Sequence, residues 1–152
     1  MTDILTIDAA IQYLRSQGES DEKLGYVRGG FDTSKPIYFH DLEEGDVLYQ
    51  YVRVGSHLGN WFALKGASMD DLAIFGGHSG RRLFQVEIIY PCRVVEGSAL
   101  GIPMHWSSVG AFAEDRKMEK SGRVKGGGGT QLFMPSKYIL TCVKSTGQVK
   151  HA

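Results

Sequence analysis

Residues 46–54 read DVLYQYVRV, and the alternation in that stretch decides the fold class. Val47, Tyr49, Tyr51 and Arg53 alternate with Leu48, Gln50, Val52 and Val54, the period-two pattern of a strand with two distinct faces. Glu44-Gly45-Asp46 just ahead of it is turn chemistry. Downstream, Asn60 to Leu64 (NWFAL) predicts a shorter strand between Gly59 and Gly66. Arg82 to Val95 predicts the longest one: LFQVEIIY, interrupted at Pro91 and resumed as CRVV. Leu132 to Met134 and Tyr138 to Val143 predict two last short strands around Pro135-Ser136, with a tail from Ser145.

Upstream the period is helical. Ile7, Ala10, Ile11 and Leu14 recur at i, i+3, i+4 and i+7, with Thr6 to cap the start and Gly18 to end it. Glu19 to Lys23 is polar and predicts a loop, and Gly25 to Tyr38 predicts irregular structure. Ser68 to Phe75 predicts a helical turn capped by Ser68, with Asp70 and Asp71 in its first turn. Gly97 to Lys125 is long for a connection and holds a charged stretch, Glu114 to Lys120, that suits a solvated helix face. A run of four glycines, Gly126 to Gly129, follows. The expectation is one α+β domain over residues 1–152, mostly β. It has an N-terminal helix with an irregular lead-in to residue 40, a core over 42–143, and a long loop before the last two strands.

Composition narrows the function classes. Of 152 residues, 42% are apolar and 22% charged, ordinary for a globular chain. Lys plus Arg and Asp plus Glu both number 17, so the basic excess that supplies a nucleic-acid binder's affinity is missing. No apolar run approaches the ~20 residues that span a bilayer. Two cysteines, Cys92 and Cys142, are too few for a disulfide scaffold and read as buried thiols in strands. Glycine is the outlier at 20 residues, alongside 11% aromatics, which fits short strands joined by tight turns.

Several chemistries are excluded by motif. The five histidines show no HExxH and no i, i+4 pair, and there is no CxxC, so no metal site is expected. No GxSxG elbow, P-loop or GxGxxG occurs, and the glycine run lacks the Lys-Ser/Thr of an NTPase loop. Four pieces remain, in order: Arg53-Val54-Gly55; Gly59-Asn60-Trp61-Phe62-Ala63; the strand and its continuation from Phe84 to Gly97; and Gly127 to Gln131. Together these resemble the ADP-ribosyltransferase-like folds, and more narrowly the NAD glycohydrolase toxins of the tuberculosis necrotizing toxin type. The resemblance spans residues 42–143 and leaves out the N-terminal helix.

The resemblance implies an ADP-ribosyltransferase-like split sheet and a site for NAD or NADP as substrate, with no metal. It assigns Gln131, Arg53 and His78 to catalysis, His78 being the histidine nearest the family's position beside the third strand. It assigns Gly55, Trp61, Phe62, Ser68, Gly129 and Thr130 to the dinucleotide. The residue types suit this. A guanidinium pairs bidentately with a pyrophosphate, a flat ring lines a nicotinamide pocket, and a carboxamide holds ribose hydroxyls or orients water. Each also has a plain structural role open to it. Arg53 suits a strand surface, Gln131 a turn, His78 a solvated loop and Ser68 a helix cap. Trp61 and Phe62 are adjacent, so one must face the core of a half-buried strand. Glu87 fits either a buried partner for an arginine or an outward position.

The implied function is an NAD(P)+ glycohydrolase, the toxic domain of a secreted or delivered bacterial effector acting in target-cell cytoplasm and held in check by a cognate immunity protein. The competing readings are a mono-ADP-ribosyltransferase toxin using the same pocket and a non-enzymatic binding module. Transferases acting on arginine generally carry an acidic catalytic residue preceded, two positions earlier, by Glu or Gln. Here Gln131 is preceded by Gly129, which favours water as acceptor.

Overall fold

The computed structural model describes residues 4–53, 57–64, 81–99, 102–103, 124–125 and 129–148. In chain order the elements are β1 (Ile4–Leu5), α1 (Ile7–Ser16), α2 (Asp21–Gly30), β2 (Ile37–Leu42), β3 (Val47–Arg53), β4 (Trp61–Ala63) and β5 (Arg81–Ile88). They continue with β6 (Cys92–Ser98), β7 (Ile102–Pro103), β8 (Val124–Lys125), β9 (Thr130–Phe133), α3 (Ser136–Thr141) and β10 (Val143–Gln148). Eight strands form one sheet in the order β1-β2-β6-β9-β4-β3-β5-β10, and every pairing in it is antiparallel. β7 and β8 pair separately. The architecture is mostly β with few helices, as the alternation at 46–54 predicts.

The sheet carries core on both faces. Successive side chains of a strand point to opposite sides, and in β9 and just beyond it Leu132, Phe133 and Met134 are all buried. Leu132 and Met134 join Leu42, Leu48, Phe62, Val86, Ile88 and Val94 in one cluster. Phe133 and Val95 join Ala10, Ile11, Leu14, Leu24, Val27 and Phe31 in a second, which packs α1 and α2 onto the other face. α1 forms as its periodicity predicts: Ala9 N–H donates to Thr6 Oγ1 at 3.0 Å, and Gly18 follows the helix at φ 97°, a left-handed conformation natural to glycine.

Three sequence expectations are corrected. Residues 21–30 are helical, where the sequence predicts a polar loop to Lys23 and irregular structure from Gly25; residues 31–36 are irregular as expected. Ser20 caps α2 by accepting from Lys23 N–H, and Leu24, Val27 and Phe31 bury against the sheet. Each helical glycine costs about 1 kcal/mol of propensity, and packing outweighs that cost for Gly25 and Gly29. Residues 138–141 are helical, not a strand. Here Pro135 precedes the first turn and the buried Glu19 carboxylate accepts from both Ser136 N–H and Ser136 Oγ, capping α3 from outside. The expected tail is strand β10, paired with β5 through a register shift between Ser145 and Gly147. The expected helical turn at Ser68 to Phe75, the charged stretch 114–120 and Gly126 to Gly128 lie outside the described residues.

Cys92 and Cys142 are both free and buried, Cys142 standing between α3 and β10 rather than in a strand. Burial, helped by the neighbouring Cys142 thiol, pushes the Cys92 thiol up to about 12. An unfolded cysteine ionises near ~8.5, so above that pH the unfolded chain loses a proton that the folded chain keeps, and stability falls as pH rises toward 12. Urea midpoints of the wild type are therefore expected to drop between pH 8 and pH 10 more than those of Cys92→Val. A parallel pH response of the two proteins would remove the assignment.

Candidate active site

Register brings the resemblance's scattered residues onto neighbouring strands. Gly97 of β6 stands opposite Gln131 of β9, Gln131 opposite Ala63 of β4, Ala63 opposite Tyr49 of β3, and Tyr49 opposite Gln85 of β5. Directly opposed residues share a face, so these five form one row across the sheet. Phe133 and Trp61, also opposed, lie two residues further on and share that face. Tyr51 and Arg53 have the same parity as Tyr49, opposite Leu83 and Arg81. Positions 53, 61 and 131 thus belong to three adjacent strands and one side of the sheet.

That side is roofed in part by the end of α2. Gln131 is buried, and its Nε2 donates to the Gly30 carbonyl at 2.7 Å. Trp61 is half-buried and wedged edge-on between Phe31, with centroids 5.2 Å apart, and Phe133, 5.0 Å apart. Phe62 points the other way, 1% exposed inside the opposite cluster; of the two adjacent rings, Trp61 is the one on the side of Gln131. Gly129 contributes backbone, its carbonyl accepting from Ala99 N–H at 2.8 Å. Thr130 is exposed and stands opposite Ser98 on the reverse face from Gln131. Gly55, Ser68 and His78 lie outside the described residues, as does the side chain of Arg53.

Gln50, the alternative to Arg53 in the strand register of the resemblance, and Asn60 fix the start of β4. Buried Gln50 donates through Nε2 to the Gly59 and Trp61 carbonyls, at 2.9 and 2.7 Å, and accepts from Gly59 N–H at 2.8 Å. Asn60 Nδ2 donates to the Met134 carbonyl at 2.8 Å and to Ser136 Oγ at 2.9 Å. The backbone carrying Trp61 is therefore held from β3 on one side and from the β9–α3 junction on the other. The sequence offered one signal, a carboxamide at 50 and another at 60 flanking a glycine, but its meaning depends on which strands are neighbours.

Among the described residues no group of three or more His, Cys, Asp or Glu is gathered. His40 Nδ1 and Glu96 Oε1 lie 2.7 Å apart across β2 and β6, on the face away from Gln131. Asp41 is held below the usual carboxylate range by its hydrogen bonds from Arg93, on the β2–β6 pair, which β9 and β4 separate from β3. No helix among the described residues is long and apolar enough to cross a membrane.

No family model matches the chain, and no curated protein matches it. Solved structures do match it. Tse6, determined in complex with Tsi6, superposes with a TM-score of 0.65 at 18% identity, over 97% of this chain and 98% of that one. Rhs1-CT, determined in complex with its cognate immunity protein RhsI1, gives 0.50 at 18% identity, over 94% and 92%. The chain shares its fold with two proteins that were each solved against a protein partner.

Proposed function

We propose that the chain is an NAD(P)+ glycohydrolase, the toxic domain of a delivered bacterial effector that depletes the dinucleotide in target-cell cytoplasm. The observation that carries this reading is the register: positions 53, 61 and 131 fall on β3, β4 and β9, adjacent in the sheet and of one parity. The likeness in fold to Tse6 and Rhs1-CT supports it, and the complex of Rhs1-CT with a cognate immunity protein supports an inhibitor of the same kind here.

The reaction breaks the bond between nicotinamide nitrogen and ribose C1′. Positive charge develops on the ribose as the bond stretches, the electronic problem of glycoside hydrolysis. Nicotinamide leaves with the bonding electron pair, water adds to C1′, and its proton passes to solvent. Arg53 pairs with the pyrophosphate, anchoring the half of the substrate that does not react. Trp61 lines the nicotinamide side. Gln131, its Nε2 committed to Gly30, offers Oε1 as an acceptor for a ribose hydroxyl or the attacking water. Gly129, two positions earlier, supplies no carboxylate for an acceptor substrate, which favours hydrolysis over transfer.

Purified protein incubated with NAD, then NADP, is expected to release free nicotinamide, read by chromatography. Arg53→Ala is expected to lower kcat/KM by about 100-fold, mainly through KM, the scale of a lost charge-assisted pair on an anchoring group. Label from NAD appearing on macromolecules of a lysate would turn the reading to ADP-ribosyl transfer. No release from either dinucleotide would leave a binding module.

A further inference from the structure

We infer that Gly30, the last residue of α2, is a positioning residue that sets the direction of the Gln131 carboxamide; this rests on the reading that Gln131 serves the site proposed above. A primary amide has a donor end and an acceptor end, and in most sites either can face the substrate. Here the choice is made by backbone. The Gly30 carbonyl can only accept, so the amide nitrogen lies toward it, at 2.7 Å, and Oε1 is the end turned away from α2. The bond joins residues 101 positions apart.

The same glycine closes the wall beside that bond. A Cβ at position 30 would stand 2.9 Å from Trp61 Cη2 and 3.0 Å from Cζ2, closer than carbon atoms pack. The ring packs edge-on against both Phe31 and Phe133, which limits where it can move. Phe31 is fixed in turn: a Cβ on Gly97, the row neighbour of Gln131, would meet its ring at 2.6 Å. Two absent side chains, at 30 and 97, therefore let α2 sit low enough for its last carbonyl to reach the carboxamide. With the indole in place, a methyl at 30 pushes the helix end outward, and the Gly30 carbonyl moves with it away from the carboxamide.

The atoms in conflict belong to the outer ring of the indole, which phenylalanine lacks. That makes a double-mutant cycle decisive. Gly30→Ala in the wild-type background is expected to lower kcat for nicotinamide release by about tenfold or more, with KM changed less than about threefold, as for a contact realised in the transition state. In a Trp61→Phe background the same change is expected to cost less than about threefold. Equal losses in both backgrounds, or a loss that merely tracks the folded fraction in thermal unfolding, overturn the inference. A second readout needs no turnover. The Gln131 side-chain NH2 signals, identified by their absence in Gln131→Ala, are expected to exchange with solvent about tenfold more slowly than those of an exposed glutamine, and to lose that protection in Gly30→Ala. Unprotected wild-type signals overturn the positioning role even if the enzyme is active. Protected signals in a protein that releases no nicotinamide uphold it while the catalytic reading fails.

Discussion

Replacing Gln131 by alanine is expected to cut nicotinamide release by about 100-fold or more, the cost of removing one group that stabilises the transition state. The buried setting of this side chain adds a second effect. Without the carboxamide, the half-buried Gly30 carbonyl loses its hydrogen-bond partner, which costs about 0.5–1.5 kcal/mol of stability. The two losses separate experimentally: kcat per folded molecule reports the first, and the urea midpoint the second. Gln131→Met keeps most of the volume and should recover part of the stability with none of the turnover. Activity within a few-fold of wild type in the folded Gln131→Ala protein would remove Gln131 from the chemistry and leave it the role of a peg for α2.

Phe133→Ala is expected to be the most destabilising single change considered, at about 3–5 kcal/mol. The ring is 1% exposed, it packs among residues of both N-terminal helices, and it stands edge-on to Trp61 at 5.0 Å between centroids. Its loss opens a cavity at the point where α1, α2 and the middle of the sheet meet. A small domain has a total stability of only 5–15 kcal/mol, so a large fraction disappears. Chemical denaturation measures it, with Tyr90→Ala, 62% exposed, as the control expected to stay within about 0.5 kcal/mol. A loss below about 1 kcal/mol for Phe133→Ala would show that the helices do not close over β9.

The legible parts of this chain were those whose cause is local. α1 announces itself through a stripe and two caps, β3 through its alternation, and the opposed directions of Trp61 and Phe62 follow from adjacency in a strand. α2 is hidden by a polar stretch, Glu19 to Lys23, that reads as a loop, and by the glycines at 25, 29 and 30. They are tolerated because Leu24, Val27 and Phe31 find the sheet, and Gly30 is required because Trp61 leaves no space for a Cβ. α3 was hidden more deeply. Tyr138-Ile139-Leu140 favours a strand by residue type, and its cap arrives from Glu19, 117 positions away. In the site, Arg53, Trp61 and Gln131 came from the resemblance, and the order β9-β4-β3 and the clamps of Gln50 and Asn60 are long-range facts that no window along the chain contains.

The Glu19 carboxylate has a bearing on where this protein can be cut. The catalytic resemblance begins near Leu42, and a designer trimming to essentials would discard everything before it. Glu19 caps the last helix, Lys23 Nζ reaches Ser136 Oγ at 2.9 Å, and Tyr138 donates its hydroxyl hydrogen to Gln17. Residues 17–23 and 136–138 thus form a single buckle. Excising the front half releases the back half, so the smallest working fragment is set by the buckle and not by the motifs.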